Sequence, residues 1–196
     1  LRDAPRQVDH VLGGPSRPRE GPPARLPRGV DRQHLELRRR LINWPAGFCK
    51  PSGYVHASHS RWVRVIPAKE LGEKLNRRFK MGRLKGLRVL RRAPSGHVSA
   101  LLVLGSKRNV KLKDEMAIRS LLGVGSLRST LFVVDTEYRR EKAVLVPDAF
   151  IFHGGGWGHS VGLCQSGAIG RAEAGQDYET IVKSYFPGVQ MSKLDY

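Results

Sequence analysis

The residues best suited to chemistry lie together in the run His153-Gly-Gly-Gly-Trp157-Gly-His159-Ser160-Val-Gly-Leu-Cys164-Gln165-Ser166-Gly-Ala168. Seven glycines fall between 154 and 170, which permits positive φ and close approach of a ligand or another backbone. An expected strand enters the run and an expected helix leaves it, so its amides could face a ligand at a helix N-terminus. Nucleotide readings fail on spacing. A phosphate loop needs Gly-Lys-Ser/Thr, and the segment has no lysine. A dinucleotide fingerprint needs a third glycine where Val161 stands. Trp157 offers a ring to stack on a sugar or base, and His159 a proton relay near neutral pH. The alternative is a tight turn whose Trp157 is core, and composition alone leaves the two even.

A second constellation is Cys49-x6-His56-x2-His59, three zinc-type ligands within eleven residues. A tetrahedral site needs a fourth ligand and none is local, so no metal and no cofactor is assigned and these residues read as polar side chains on a loop. The two cysteines, Cys49 and Cys164, are too few for a disulfide scaffold. Their spacing demands no bridge, and they read as free, mostly buried thiols.

The elements that must position these groups follow from periodicity. Residues 1–30 hold six of the twelve prolines and read as an irregular or disordered arm, residues 31–196 as one domain. A helix is expected from Asp31, with Leu35, Leu37, Leu41 and Ile42 as its apolar side and Pro45 as its stop. Arg61 to Pro67 alternates as a half-buried strand, and Leu71, Leu75 and Phe79 then step by four along a helix. Strands are expected at Leu87–Arg92, Val98–Ser106 and Asn109–Lys113, followed by a helix over Asp114–Leu122. A strand pair, Leu131–Tyr138 and Ala143–His153, leads into the glycine run, and helices follow at Leu163–Ala174 and Asp177–Tyr185. This pattern predicts an α+β fold, a mainly antiparallel sheet with short helices packed around it.

Charge narrows the partners. Lys and Arg number 35 against 17 Asp and Glu, a net +18, which draws nucleic acid, anionic lipid or acidic wall polymers. Residues 69–92 carry a local charge of +8, whereas 153–188 carry −1, so the basic face and the glycine run are separate. No apolar run reaches the roughly 18 residues that a membrane span needs.

The glycine run resembles the signature of the stage II sporulation protein D family (SpoIID/LytB), which groups amidase enhancers with peptidoglycan lytic transglycosylases. That signature is Gly-x-Gly-Trp-Gly-His-Gly-Val-Gly-Met-x-Gln-x-Gly-Ala, then a Gly and an Ile-Leu-x-x-Tyr-Tyr-Pro-Gly ending. Here the run is Gly154 to Ala168, followed by Gly175 and by Ile181-Val182-Lys-Ser-Tyr185-Phe186-Pro187-Gly188. Ile118 to Gly123 and Leu127 to Phe132 match the segment before it, and the resemblance covers roughly residues 60–190. Ser160 departs from the family's usual glycine.

The resemblance implies a domain of the cell envelope that binds peptidoglycan glycan strands, with a cell-wall amidase as a further partner. It implies Trp157, His159, Ser160, Gln165 and Ser166 as the substrate-binding residues. The family's chemistry is non-hydrolytic cleavage of the glycan by a catalytic glutamate on an upstream helix rich in Ala, Gln and Arg. Glu20 and Glu36 lie in other contexts, so the expectation is a chain carrying the family's later half without its catalytic acid. Two other readings stand beside this one: a basic nucleic-acid-binding protein, and a folded remnant without function. The basic stretch has one interleaved aromatic, Phe79, which is few for nucleic-acid stacking.

Overall fold

The computed structural model describes residues 32–43, 47–49, 52–123 and 125–192. The expected arm at 1–30 lies outside them. The elements run α1 (Arg32–Ile42), a 3-10 turn at Ala57–His59, β1 (Arg61–Pro67), α2 (Ala68–Phe79), β2 (Leu84–Arg92), β3 (Val98–Gly105) and β4 (Val110–Leu112). They continue with α3 (Glu115–Leu122), β5 (Phe132–Glu141), β6 (Val144–Gly155), α4 (Gln165–Glu173) and α5 (Tyr178–Tyr185). The strands form two antiparallel three-stranded sheets, ordered β1-β6-β5 and β2-β3-β4. The α+β expectation holds, with two small sheets in place of one.

One apolar core joins the sheets. Ile66, Phe132, Phe150 and Phe152 come from the first, and Leu84, Val98, Leu101, Val103 and Leu112 from the second. The four-residue step of α2 sends Leu71 and Leu75 into this core, and α3 adds Ile118 and Leu122. Phe132 and Phe152 meet edge to face at 5.3 Å. The amide of Val98, at the start of β3, donates to Thr130 O just before β5, so a backbone bond also crosses between the sheets. Lys74 of α2 donates to Ser120 O and Gly123 O, carbonyls at the C-terminal end of α3 where a cation is favoured.

Several boundaries differ from expectation. The β5–β6 hairpin is longer, turning only at Lys142-Ala143, where Lys142 adopts φ 56°. Pairing alone fixed that length, because the exposed charged residues from Arg139 onward carry no apolar signal. β2 starts earlier, at Leu84, because register shifts between Leu84 and Gly86 break the alternation that would mark it. On α1 only Leu41 is buried and Leu37 half-buried, while Leu35 and Ile42 are exposed. The inward stripe is instead His34, Leu37, Arg38 and Leu41, because α1 packs over a carboxylate, Asp135 of β5.

Leu75 is fully buried at the centre of the shared core. Leu75→Ala is expected to cost about 2–5 kcal/mol in urea unfolding, against less than about 0.5 kcal/mol for exposed Leu35→Ala.

Candidate functional site

The glycine run begins inside the sheet. Gly154 pairs with Trp62 and Gly155 with Arg61 across β1 and β6. The Trp62 indole lies on the Gly154 backbone so closely that a Cβ there would fall 2.1 Å from the ring. Its Nε1–H donates to Gly156 O at 3.0 Å. The Ser129 hydroxyl, fully buried, donates to Gly155 O at 2.6 Å and accepts from the Leu131 amide. Gly156 N donates to Ser60 O and Gly158 N to Arg128 O. The loop thus leaves the sheet along a fixed track.

Beyond it the side chains turn outward. Trp157 is 60% exposed, with the Arg128 guanidinium over its ring at 4.9 Å and His59 edge-on at 5.0 Å. His159 is exposed, and its Nδ1 accepts from the Val161 amide at 3.1 Å. Ser160 takes φ 62°, in the left-handed region. Its hydroxyl pairs with His97 Nε2 at 2.5 Å, and Ser95 Oγ pairs with Nδ1 of the same ring. Burial pushes the His97 ring down from its ordinary value, against the Glu115 charge that raises it. A neutral ring has one donor and one acceptor nitrogen, so the two serines take opposite roles. Gln165 and Ser166 open α4, Gln165 exposed and Ser166 half-buried.

Cys164 caps α4, its sulfur accepting from the Gly167 amide. It is exposed, which corrects the expectation of a buried thiol, because α4 buries only Gly167 of its residues. Its sulfur lies 3.7 Å from that of Cys49. The hydrogen bond from Cys49 pushes the Cys164 thiol down to about 6, and the same contact, then burial, pushes Cys49 up. Cys49 therefore faces Cys164, while His56 and His59 stack loosely at 6.2 Å. Among the described residues no group of three His, Cys, Asp or Glu side chains is placed to hold a metal.

Sequence reasoning did not connect Arg128, His97 or Asp135 to the site, and it read His59 only as a possible metal ligand. Arg128 and His59 reach Trp157 from distant segments, and only the fold brings them there. His97 meets Ser160 across 63 positions. Asp135 gathers His34 at 3.7 Å, Arg38 at 3.3 Å and His153 at 3.6 Å, clamping α1 on the first sheet beside the run's first residue. A cavity of about 420 Å³ lies under α1 and the β2–β3 turn, lined by Glu36, Leu37, Arg40, Arg92 and residues 93–96.

Ser160→Gly relieves about 1 kcal/mol of left-handed strain but removes a hydrogen bond of similar worth. Urea unfolding of the single variant is expected to be near neutral. In a His97→Ala background the same change stabilises by about 1 kcal/mol. Because the fold disfavours the charged His97 ring, the stability it contributes is present above its ordinary value of 6.5 and lost as pH falls below it. His97→Ala therefore flattens the acid limb of stability against pH. For the thiols, the reduced chain is expected to alkylate at Cys164 with a midpoint near pH 6, rising with pH as the thiolate forms. Cys49→Ala removes the largest cause of that depression and moves the midpoint upward.

Residues 36–162 match the family model described as a domain of unknown function, DUF8618. The chain is 32% identical over 126 residues to the stage II sporulation protein D of Bacillus subtilis, covering 64% of this chain and 30% of that protein. It is 32% identical over 75 residues to the amidase enhancer of the same organism, covering 38% of this chain and 9% of that one. An uncharacterized protein of Brachyspira hyodysenteriae is 45% identical over 51 residues, covering 26% of this chain and 13% of its own length. The chain thus spans less than a third of each relative. With the core, the Trp62-anchored strand and most of the exposed loop inside the matched residues, the chain belongs to the DUF8618 domain family and is a relative of stage II sporulation protein D.

Proposed function

We propose that this domain binds peptidoglycan glycan strands through the loop from Trp157 to Ser166 and does not itself cut them. The observation that carries this reading is the exposed Trp157 indole, held by Arg128 and His59 on a loop anchored to the sheet. A rigid, solvent-facing aromatic stacks on the apolar face of a sugar ring, and the polar groups of His159, Ser160, Gln165 and Ser166 beside it suit hydroxyl and amide recognition. The names of the relatives support a role at the cell envelope, and that of the amidase enhancer supports a cell-wall amidase as partner.

Non-cutting rests on the carboxylates. Protonating a glycosidic oxygen needs a carboxylic acid of raised pKa in an apolar pocket. Glu36, Glu115, Glu141 and Glu179 each pair instead with an arginine or lysine, at 2.8–3.3 Å.

The test incubates the chain with amidase-treated peptidoglycan, followed by pull-down and mass spectrometry of the glycan ends. Trp157→Ala combined with His159→Ala is expected to weaken binding about 10-fold or more, equivalent to about 1.4 kcal/mol. Undiminished pull-down would remove the loop from the site. Anhydro-muramic ends above the blank would show cutting. Binding that collapses steeply with added salt would favour the polyanion reading suggested by the +18 charge.

A further inference from the structure

We propose that Cys49 and Cys164 form a disulfide that staples the α4–α5 hairpin, and with it the end of the exposed loop, to the segment preceding β1. This inference does not rest on the glycan reading. The two sulfurs lie 3.7 Å apart, although 115 positions separate the residues in the chain. Side-chain rotation has to shorten that gap to about 2.0 Å.

The surroundings hold the two segments together on both sides of the sulfurs. A Cβ on Gly167 would stand 3.4 Å from Cys49 Sγ and 3.5 Å from Cys164 Sγ, so this turn of α4 packs directly on the pair. One turn further on, the Phe48 carbonyl rests on Gly170, where a Cβ would fall 1.8 Å from the oxygen. Arg171 lies over the Phe48 ring at 4.4 Å and over Tyr185 of α5 at 5.7 Å. Cys49 O accepts from the Ser60 hydroxyl, which fixes the other partner to the start of β1.

The hairpin has little else to hold it. Gly167 is the one buried residue of α4 and Ile181 the one of α5. A covalent tie here acts where packing is thin, and because it closes a long loop it removes much entropy from the unfolded chain. Both thiols are reachable, Cys164 being exposed and Cys49 half-buried.

The chemistry needs an external disulfide as oxidant, either oxidised glutathione or the disulfide of a thiol oxidoreductase. Cys164 as thiolate attacks one sulfur of that reagent, forming a mixed disulfide and expelling the first reagent thiolate. Cys49 then loses its proton to solvent and attacks Cys164 Sγ, expelling the second. The cysteine pair gives up two electrons and two protons, and the reagent leaves as two thiols. The low value of Cys164 suits the attacking role and its position at a helix N-terminus agrees with it.

The experiment equilibrates the full chain with oxidised glutathione, removes the reagent and maps a non-reduced digest by mass spectrometry. The expected result is a loss of both titratable thiols, a mass lower by about 2 Da and one linked peptide pair containing Cys49 and Cys164. The oxidised chain is expected to melt about 5–15 °C above the reduced chain. Hydrogen exchange across residues 157–168 should slow on oxidation. Cys49→Ser and Cys164→Ser should each abolish both responses, and either variant alone suffices if the other fails to fold. Two free thiols after equilibration, two separate glutathione adducts, or a disulfide-linked dimer would overturn the proposal, as would a linked chain with no gain in melting temperature.

Discussion

The contact on which the rest of the site depends is the Trp62 indole lying across the backbone of Gly154. It works in two directions. The ring fills the space that any Cβ at 154 would occupy, and its N–H holds Gly156 O, the first carbonyl beyond the strand. Trp62 is buried and belongs to the shared core, so the loop takes its bearing from that core. Ser129 repeats the arrangement from the other flank by donating to Gly155 O. A loop of glycines would otherwise lose more conformational freedom on ordering than any other sequence. Here its first three residues are fixed by neighbours on both sides, and the Gly158 amide bond to Arg128 O extends the anchoring past Trp157.

Polar contacts complete the frame at its edges. Asp135 draws His34, Arg38 and His153 around one carboxylate, and burial holds His34 below its ordinary value despite that charge. The helix α1 is thereby seated by these polar contacts together with buried Leu41 and half-buried Leu37. This explains why Leu35 and Ile42 stay in solvent on a helix whose leucine spacing promised burial.

What the sequence made legible was whatever is written in local periodicity. The four-residue step of Leu71 and Leu75, the alternation of Arg61 to Pro67, and the helices starting near Asp114 and Asp177 each reflect forces acting within a few residues. The glycine run was legible for the same reason, since its composition allows little besides a close-packed loop. What stayed hidden depends on the fold bringing remote segments together. Arg128 over Trp157, His97 on Ser160 and Cys49 beside Cys164 leave no trace in spacing. The division into two sheets was hidden as well, because strand pairing is set by the shared core and not by any one strand.

The inward bonds of the loop amides bear on what the loop can select. Gly156 N is spent on Ser60 O and Gly158 N on Arg128 O. An anion cradle is built from successive backbone N–H groups turned toward the ligand, and these two are turned toward the protein. The groups this loop presents are therefore the Trp157 ring with the Arg128 guanidinium over it and the polar side chains of His159, Ser160 and Gln165. On the proposed reading, the net charge of +18 and the exposed loop from Trp157 to Ser166 would act differently, the charge at long range on any acidic polymer and the loop at short range.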